Sequence, residues 1–282
     1  MLDRVDRILV AVNDRAAAAE TFAAVLGAEK IADDTVAPYS ARRTVMRAGE
    51  SEFDLLEPAG GGPVAELLNG GREGVFGAGF STPDLEEAAR FLDGAGVTYA
   101  REGGALYIEP EQTRGMRTVI RQSEAREPAG LISNVYEVTN IVDDHRDAAD
   151  FYARAFGLDQ SRFAPIDSEM WGYTGTLTLF DPPERLDRIE ITQITDATRA
   201  MGRYYTRRGQ SIYMCFVETP DATAIQARLD SRGGRYELLA SNAADGLYIH
   251  PSALHGLLMG VSRTNVAWRW SGRPELAPAR AS

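Results

Sequence analysis

The chain repeats itself, and this repetition constrains its fold more than any other feature. Residues 5–27 align without a gap with residues 135–157. Each segment reads as an apolar strand, a turn of Asn and Asp residues, a helix and a closing glycine. Residues 82–93 align with residues 219–230 in the same way. Similarity at a fixed spacing indicates a duplicated structural unit, built once in each half of the chain.

A smaller pattern recurs within each half. A strand is followed by an amphipathic helix, opened by Asp and closed by Gly, and then by alternating apolar runs that predict three strands. A third pair of segments, 106–110 and 247–251, precedes the last of these strands. The sequence therefore predicts an α+β fold of four βαβββ modules, two in each half.

The segment between the halves is typical of a linker. Residues 122–130 are polar and are interrupted by proline and glycine. We expect an N-terminal domain at residues 1–124 and a C-terminal domain at residues 131–265. The last residues, 266–282, show no periodicity and predict a loosely ordered tail.

Composition narrows the class of protein. The longest aliphatic run, residues 8–12, is too short to span a membrane, and the N-terminus lacks a signal-peptide pattern. A net charge of −11 without a basic stripe argues against nucleic acid as a partner. Cys215 is the single cysteine, which excludes an intrachain disulfide and a cysteine zinc cluster. We expect a cytoplasmic monomer or homodimer that acts on a small molecule.

The module layout resembles the vicinal oxygen chelate superfamily, which contains glyoxalases, epimerases, bleomycin-resistance proteins and extradiol dioxygenases. The resemblance rests on Val-Asp-Arg-Ile-Leu-Val-Ala-Val-Asn-Asp at residues 5–14 and Phe-Asp-Leu-Leu-Glu-Pro at residues 53–58. It implies that each pair of modules forms a cup-shaped sheet. It also implies a divalent metal in the cup, bound by residues on the first and last strands of the modules. The reaction stays open, because this superfamily carries several reactions on one scaffold.

The ligand positions of the N-terminal half do not suit a metal. In the first module they fall on Arg7 and Asp54, and in the second on Gly77 and Val119. A guanidinium cannot ligate a cation. We therefore expect a non-catalytic cup in which the positive charge of Arg7 reaches Asp54 and replaces the ion.

In the third module the ligand positions both carry carboxylates. They are Glu137 and Glu190, which would repel each other unless a cation or a shared proton lies between them. The resemblance implies that they bind a divalent ion such as manganese, magnesium or iron, or that one of them acts as a base. The alternative is that one or both pair with an arginine such as Arg188 or Arg203.

The fourth module departs from the superfamily pattern. Its ligand positions fall on Tyr213, or Met214 if the register slips by one, and on Gly260. His250 and His255 lie in the turn before the last strand, and histidine suits proton exchange near neutrality. We predict that His255 or Tyr213 exchanges a proton with the substrate and that His250 contacts it. Ordinary hydrogen-bonding roles are the alternative for the histidines.

Two further groups of residues are candidates for substrate binding. Trp171 and Tyr173 belong to alternating strands of the third module, where aromatic side chains line a small-molecule cavity or fill a core. Arg203, Arg207 and Arg208 could receive a carboxylate or phosphate, or form a solvated helix face. No glycine-rich phosphate loop or dinucleotide motif is present, so we expect no nucleotide cofactor.

These residues predict proton transfer on a carbonyl-bearing metabolite, as in an isomerase, epimerase or lyase, with possible assistance by a metal. Glu137 and Glu190 would bind the metal, or one would act as base. Extradiol ring cleavage is an alternative, although its two strand histidines are absent. An alternative of another class is a metal-free small-molecule binding or resistance protein.

Overall fold

The computed structural model describes residues 1–70, 72–239 and 244–277. Its strands form two eight-stranded sheets, one in each half of the chain. The N-terminal sheet contains β1 (Arg4–Ala11), β2 (Glu29–Val36), β3 (Ala41–Ala48), β4 (Ser51–Pro58), β5 (Gly74–Thr82), β6 (Ala100–Glu102), β7 (Ala105–Ile108) and β8 (Thr118–Gln122). The C-terminal sheet contains β9 (Asn134–Val142), β10 (Phe163–Ser168), β11 (Tyr173–Leu179), β12 (Arg188–Ile194), β13 (Ser211–Glu218), β14 (Tyr236–Leu238), β15 (Gly246–Ile249) and β16 (Met259–Ser262).

Both sheets have the same topology. The strand orders are β2-β3-β4-β1-β5-β8-β7-β6 and β10-β11-β12-β9-β13-β16-β15-β14. In each sheet the first strands of the two modules pair antiparallel in the middle, and each pairs in parallel with the last strand of its own module. The predicted α+β fold of four βαβββ modules is confirmed.

Four helices follow the first strands of the modules, and the others lie between or after modules. The helices are α1 (Arg15–Leu26), α2 (Pro63–Asn69), α3 (Leu85–Gly94), α4 (His145–Phe156), α5 (Ala200–Arg208), α6 (Ala222–Ser231) and α7 (Thr264–Ala267). Asp14 and Asp144 cap α1 and α4 by accepting backbone N–H groups of the first turn. Gly27 and Gly157 end these helices at φ 69° and 65°, where a side chain would be strained. None of the described helices combines the length and apolar character needed to span a bilayer.

The largest apolar cluster joins the two halves. It packs the module helices between the sheets and includes Phe22 of α1, Phe80 of β5 and Phe156 of α4. The ring of Phe80 lies 6.1 Å from that of Phe156 and 6.0 Å from that of Phe180, both in the other half. Since residues of both halves fill one cluster, the helix-bearing faces of the sheets form a shared core.

Each sheet also encloses a cluster of its own on the opposite face, which we call its cup. The N-terminal cup contains Tyr39, Phe76 and Tyr107 among other residues. The C-terminal cup includes Trp268, which is 3% exposed, from the segment that the sequence assigns to a loose tail. Residues up to 277 pack in or against this cup, and residues 278–282 of the predicted tail lie outside the described part of the chain.

Two turns, which we call corners, each contain a residue with left-handed backbone, Arg114 or His255, whose side chain contacts the other half. Arg114, at φ 53°, donates from Nε to Asp147 at 3.0 Å, and its guanidinium lies 4.4 Å from the ring centroid of Phe151. His255, at φ 47°, reaches back in the opposite direction to Glu73, with 2.7 Å between Nδ1 and Oε2. The two corners therefore hold the halves together reciprocally.

The glycine after each corner allows the halves to approach closely. A Cβ atom added at Gly115 would lie 2.2 Å from the carbonyl oxygen of Gln210. One added at Gly256 would lie 1.9 Å from the carbonyl oxygen of Glu73. Only glycine fits at these two contacts.

Candidate functional site

Two adjacent parallel strands, β9 and β12, form the floor of the C-terminal cup. Their register places Glu137 opposite Arg188 and Thr139 opposite Glu190. The side chains of Ile189 and of its neighbours on that face belong to the shared core. Because side chains alternate along a strand, Arg188 and Glu190 face the cup. The register therefore agrees with the prediction that the side chains of Glu137 and Glu190 point into the same cup.

Glu137 is bound by an arginine. The Nε atom of Arg188 donates to its Oε2 at 2.6 Å, and Nη2 lies at 2.6 Å from the same oxygen. Both side chains are fully buried. The guanidinium also lies 5.3 Å from the ring centroid of Tyr136. Its Nη1 has no hydrogen-bond partner among the described residues, so a buried N–H donor remains for a ligand.

Glu190 is a buried carboxyl without a cation of its own. No basic side chain lies within ion-pair distance of it in the described part of the chain. Burial, and then the negative charge of Glu137, raise its pKa well above the usual range, although Arg188 opposes this. Tyr173 forms a hydrogen bond with Glu190, and burial followed by the charge of Glu190 raises its own pKa. Burial and the neighbouring negative charge therefore both favour the protonated form of Glu190.

A row of aromatic rings extends from the surface to the ion pair. The ring of Trp171, which is 38% exposed, lies 6.2 Å from that of Tyr248. Tyr248 lies 5.7 Å from Phe216, which lies 5.9 Å from Tyr136. The structure thus places the predicted Tyr173 beside Glu190 and the predicted Trp171 at the exposed end of this row of rings.

The N-terminal cup contains the same ion pair with the charges exchanged between strands. Arg7 on β1 pairs in register with Glu52 on β4, where the C-terminal cup has Glu137 and Arg188. Nη2 of Arg7 lies 2.8 Å from Glu52 and Nη1 lies 3.3 Å from Asp54. The predicted contact between Arg7 and Asp54 is therefore present.

Asp54 occupies the register position that Glu190 has in the other cup. A second arginine, Arg43, donates to Asp54 from Nη1 at 3.0 Å. Arg43 lies on β3, two residues before Val45, which pairs with Asp54. The equivalent position on β11 lies two residues before Leu177, which pairs with Glu190, and it is Gly175. Asp54 consequently has two cations, whereas Glu190 has no equivalent of the second.

Comparisons with known proteins agree with this architecture. Residues 4–130 match the family model of the Glyoxalase/Bleomycin resistance protein/Dioxygenase superfamily. The fold is similar to that of a triple mutant of 4-hydroxymandelate synthase from Streptomyces coelicolor, with a TM-score of 0.70 over 93% of each chain and 13% identity. Residues 4–130 are thus similar to this superfamily, and the whole chain has the two-domain fold of the synthase.

Shorter members align with part of the chain. A variant of Streptomyces coelicolor methylmalonyl-CoA epimerase, in complex with 2-nitronate-propionyl-CoA, is 24% identical with a TM-score of 0.40. The alignment covers 44% of this chain and 100% of the epimerase. None of the curated proteins matches the sequence.

The metal positions of the vicinal oxygen chelate superfamily do not fit a divalent ion here. Arg188 binds Oε2 of Glu137, so a cation at this carboxylate would meet a permanently charged guanidinium. The remaining positions carry Tyr213 and Gly260. No group of three or more His, Cys, Asp or Glu side chains could hold an ion within the described residues. The geometry thus disagrees with the predicted metal site of Glu137 and Glu190 and instead matches the arginine alternative.

The structure does not bring the two histidines into the cup. His255 contacts the N-terminal half with both ring nitrogens, at 2.7 Å from Glu73 and 3.1 Å from the hydroxyl of Thr21. His250 accepts the backbone N–H of Ser252 at Nδ1. Both side chains line a cleft between the halves. Their predicted roles beside Glu137 and Glu190 therefore lack the necessary contacts.

The remaining predicted residues lie at the rim of the C-terminal cup. Tyr213 packs against the cup cluster, and its ring lies 5.0 Å from that of Tyr204 on α5. Burial raises the pKa of Tyr213. Arg203 is exposed and donates to the carbonyl oxygen of Thr198. Tyr213 therefore packs at the edge of the cup, whereas the guanidinium of Arg203 bonds to the backbone just before α5.

Sequence reasoning missed three residues of this site as functional groups. Arg188 lies two residues before Glu190, so strand alternation could have placed it in the cup beside the carboxyl. Tyr248 lies in the repeated Leu-Tyr-Ile segment, a signal of position but not of role. A bulge beside Tyr136 puts it in the cup next to Glu137, and simple alternation predicts the opposite face.

Proposed function

We propose that the C-terminal cup catalyses proton transfer next to the carbonyl group of a small molecule, as in an isomerase, epimerase or lyase, without a divalent metal. One observation carries the proposal. Glu190 is buried without a cation, burial and the charge of Glu137 raise its pKa, and it lies beside Glu137, whose charge Arg188 balances. Two carboxyl groups with one proton between them can donate and accept in the same step.

The residues divide the chemistry as follows. The free Nη1 of Arg188 would donate to the substrate carbonyl oxygen and stabilise negative charge there. Glu137 would take the proton from the adjacent carbon, and the electron pair of the broken C–H bond would form the enolate. Glu190 would return its own proton to carbon, which completes an epimerisation or isomerisation. Transfer of the first proton from Glu137 to Glu190 would restore the starting state.

The lining of the cup indicates the substrate class. Trp171, Tyr248 and Phe216 supply an aromatic wall, and the polar groups are confined to the floor. Sites of this kind bind small ligands that are mostly apolar and fix them through a few polar contacts. A carbonyl compound with one acidic C–H bond and an apolar remainder fits these features.

The experiment is solvent exchange. Protein in D₂O is incubated with a panel of carbonyl metabolites, and loss of the proton next to the carbonyl is followed by NMR. Glu190→Gln should slow exchange by about 10² to 10⁴-fold, the usual contribution of a positioned acid or base. Glu169→Gln changes an exposed glutamate near the rim and should leave exchange unchanged. Exchange that persists in Glu190→Gln would show that another group moves the proton.

A binding protein is the second candidate, because a cup without metal ligands can also hold a ligand without reaction. Its distinguishing result is tight binding of a carbonyl compound with no proton exchange in the wild type or in Glu190→Gln.

Metal analysis separates the metal-assisted reaction from the metal-free one. Protein purified without chelator should contain less than one divalent ion per chain, because Glu137 is committed to Arg188. A full equivalent of metal that Glu137→Gln removes would restore the metal-assisted reading.

A further inference from the structure

A cleft between the two halves lies outside both cups. It has a volume of about 1060 Å³. Its N-terminal wall comes from α1 and the start of β5, and its C-terminal wall from the ends of α5 and α6 and the turn at His250. Five arginines line it: Arg72, Arg207, Arg208, Arg232 and Arg235.

None of these five arginines is neutralised. All are exposed, and no carboxylate lies within ion-pair distance of them in the described residues, which include every Asp and Glu of the chain. Glu73 is the one acidic residue in the lining, and His255 occupies its Oε2. Five unpaired cations therefore converge on one cleft in a chain whose net charge is −11.

The duplication supplies an internal comparison. Positions that correspond in the other copy of the repeat carry no arginine. They are Gly209 for Arg72, Gly70 and Gly71 for Arg207 and Arg208, Ala95 for Arg232 and Thr98 for Arg235. The fold is the same at both places, so the fold does not require the positive charge. The equivalent place has an arginine at the position of His255, Arg114, but this side chain is paired with Asp147.

We propose that this cleft binds a small molecule that carries two or more phosphate groups. Guanidinium groups bind phosphate through paired N–H donors, and each phosphate brings a charge of about −1.5 to −2. Two phosphates thus approach the charge of the five arginines. The cleft has the volume of a small-ligand site.

Arginines of both halves take part in the site. Arg72 comes from the N-terminal half, and the other four come from the C-terminal half. A ligand that contacts both binds only the assembled native chain and raises its stability by linkage. The site is separate from the C-terminal cup, so its failure leaves the proposed chemistry of Glu190 untouched.

The test is calorimetric titration of the full chain with pyrophosphate, with orthophosphate as the comparison. Pyrophosphate should bind, should raise Tm, and should weaken as salt increases. Arg232→Gln with Arg235→Gln should raise Kd by about tenfold or more, as should Arg207→Gln with Arg208→Gln. These side chains make no ion pairs, so the variants should fold normally, which circular dichroism checks.

The matched control is Arg146→Gln with Arg154→Gln. These arginines are exposed on α4, make no ion pair in the described residues, and lie outside the cleft. Binding by the control should equal that of the wild type. If the control lost as much pyrophosphate affinity as the cleft variants, the effect would come from overall charge and not from this cleft. If orthophosphate bound as tightly as pyrophosphate, the cleft would bind only a single phosphate group. Absence of pyrophosphate binding would overturn the proposal, whereas Glu190→Gln should bind normally.

Discussion

Glu190 and Asp54 show how neighbouring cations decide what a buried carboxyl can do. The two side chains have equivalent positions on β12 and β4. Arg7 and Arg43 both contact Asp54, which is thereby held as a structural anion. Glu190 has no such pair, and its pKa rises because burial and the charge of Glu137 disfavour its ionised form. One position therefore holds a paired anion, and the other favours its protonated form.

Glu190→Gln should change how stability depends on pH. A raised native pKa means that the unfolded state loses its proton first, so Glu190 lowers the free energy of unfolding as pH rises above about 4.3. The variant lacks this titration. Its free energy of unfolding should therefore rise relative to that of the wild type by about 1.4 kcal/mol per pH unit, until Glu190 ionises in the native wild-type protein. Urea unfolding at several pH values measures the difference. Asp187, whose pKa burial raises to about 6, affects both proteins equally. A difference independent of pH would contradict the prediction.

Arg7→Met should destabilise the N-terminal half without affecting the C-terminal cup. Removal of this cation leaves Asp54 and its neighbours buried with fewer partners, which should cost about 3 kcal/mol of unfolding free energy. The control is Arg42→Met on the same strand as Arg43. Its exposed pair with Glu57 should contribute no more than about 1 kcal/mol. Equal effects of the two substitutions in denaturant unfolding would show that the buried network adds little.

The sequence identified the site residues better than their partners. Strand alternation and the resemblance to the superfamily predicted that Glu137 and Glu190 share a cup, which agrees with the register of β9 and β12, whereas their catalytic role stays a prediction. The choice between a metal and Arg188 depended on side-chain distances that no spacing encodes. His255 was assigned to the cup because its turn follows the superfamily pattern, but its ring contacts Glu73 in the other half. Long-range contacts of this kind are invisible in one sequence.

Elements were predicted well because local signals agreed with packing. Asp at the start and glycine at the end marked α1 and α4, and the apolar face of α4 lies in the shared core. The exceptions are irregular elements. The bulge beside Tyr136 breaks alternation, and Trp268 is buried although its segment has no periodicity. Burial there comes from the cup that receives it, which lies far away in the sequence.

The left-handed corners provide a prediction at the scale of elements. Gly256→Ala should destabilise by about 2 to 5 kcal/mol, because its Cβ would meet the carbonyl oxygen of Glu73 at 1.9 Å at a φ of 82°. The control is Gly96→Ala. Gly96 has a φ of 71° but open space around it, so only the backbone term of about 1 to 2 kcal/mol applies. Equal losses of Tm would show that close packing of the corner is unimportant.

At the scale of the molecule, the halves depend on each other. One apolar cluster contains side chains from both, including Phe22 and Phe156. A chain of residues 1–124 alone would expose this surface to water. We expect it to associate or bind a hydrophobic dye, and addition of residues 131–282 should restore a compact complex in size-exclusion chromatography. A monomeric isolated half with cooperative unfolding would contradict the shared core.

The reciprocal corners also bear on the kinetics of ligand entry. The corner at His255 holds Glu73, and Arg72 is its neighbour in sequence, so this contact fixes the distance between cleft walls that belong to different halves. Such a cleft cannot hinge open without breaking that contact. Association with an anion should then be a single step, whose rate is set by diffusion and ionic strength. Residence time alone would distinguish good ligands from poor ones.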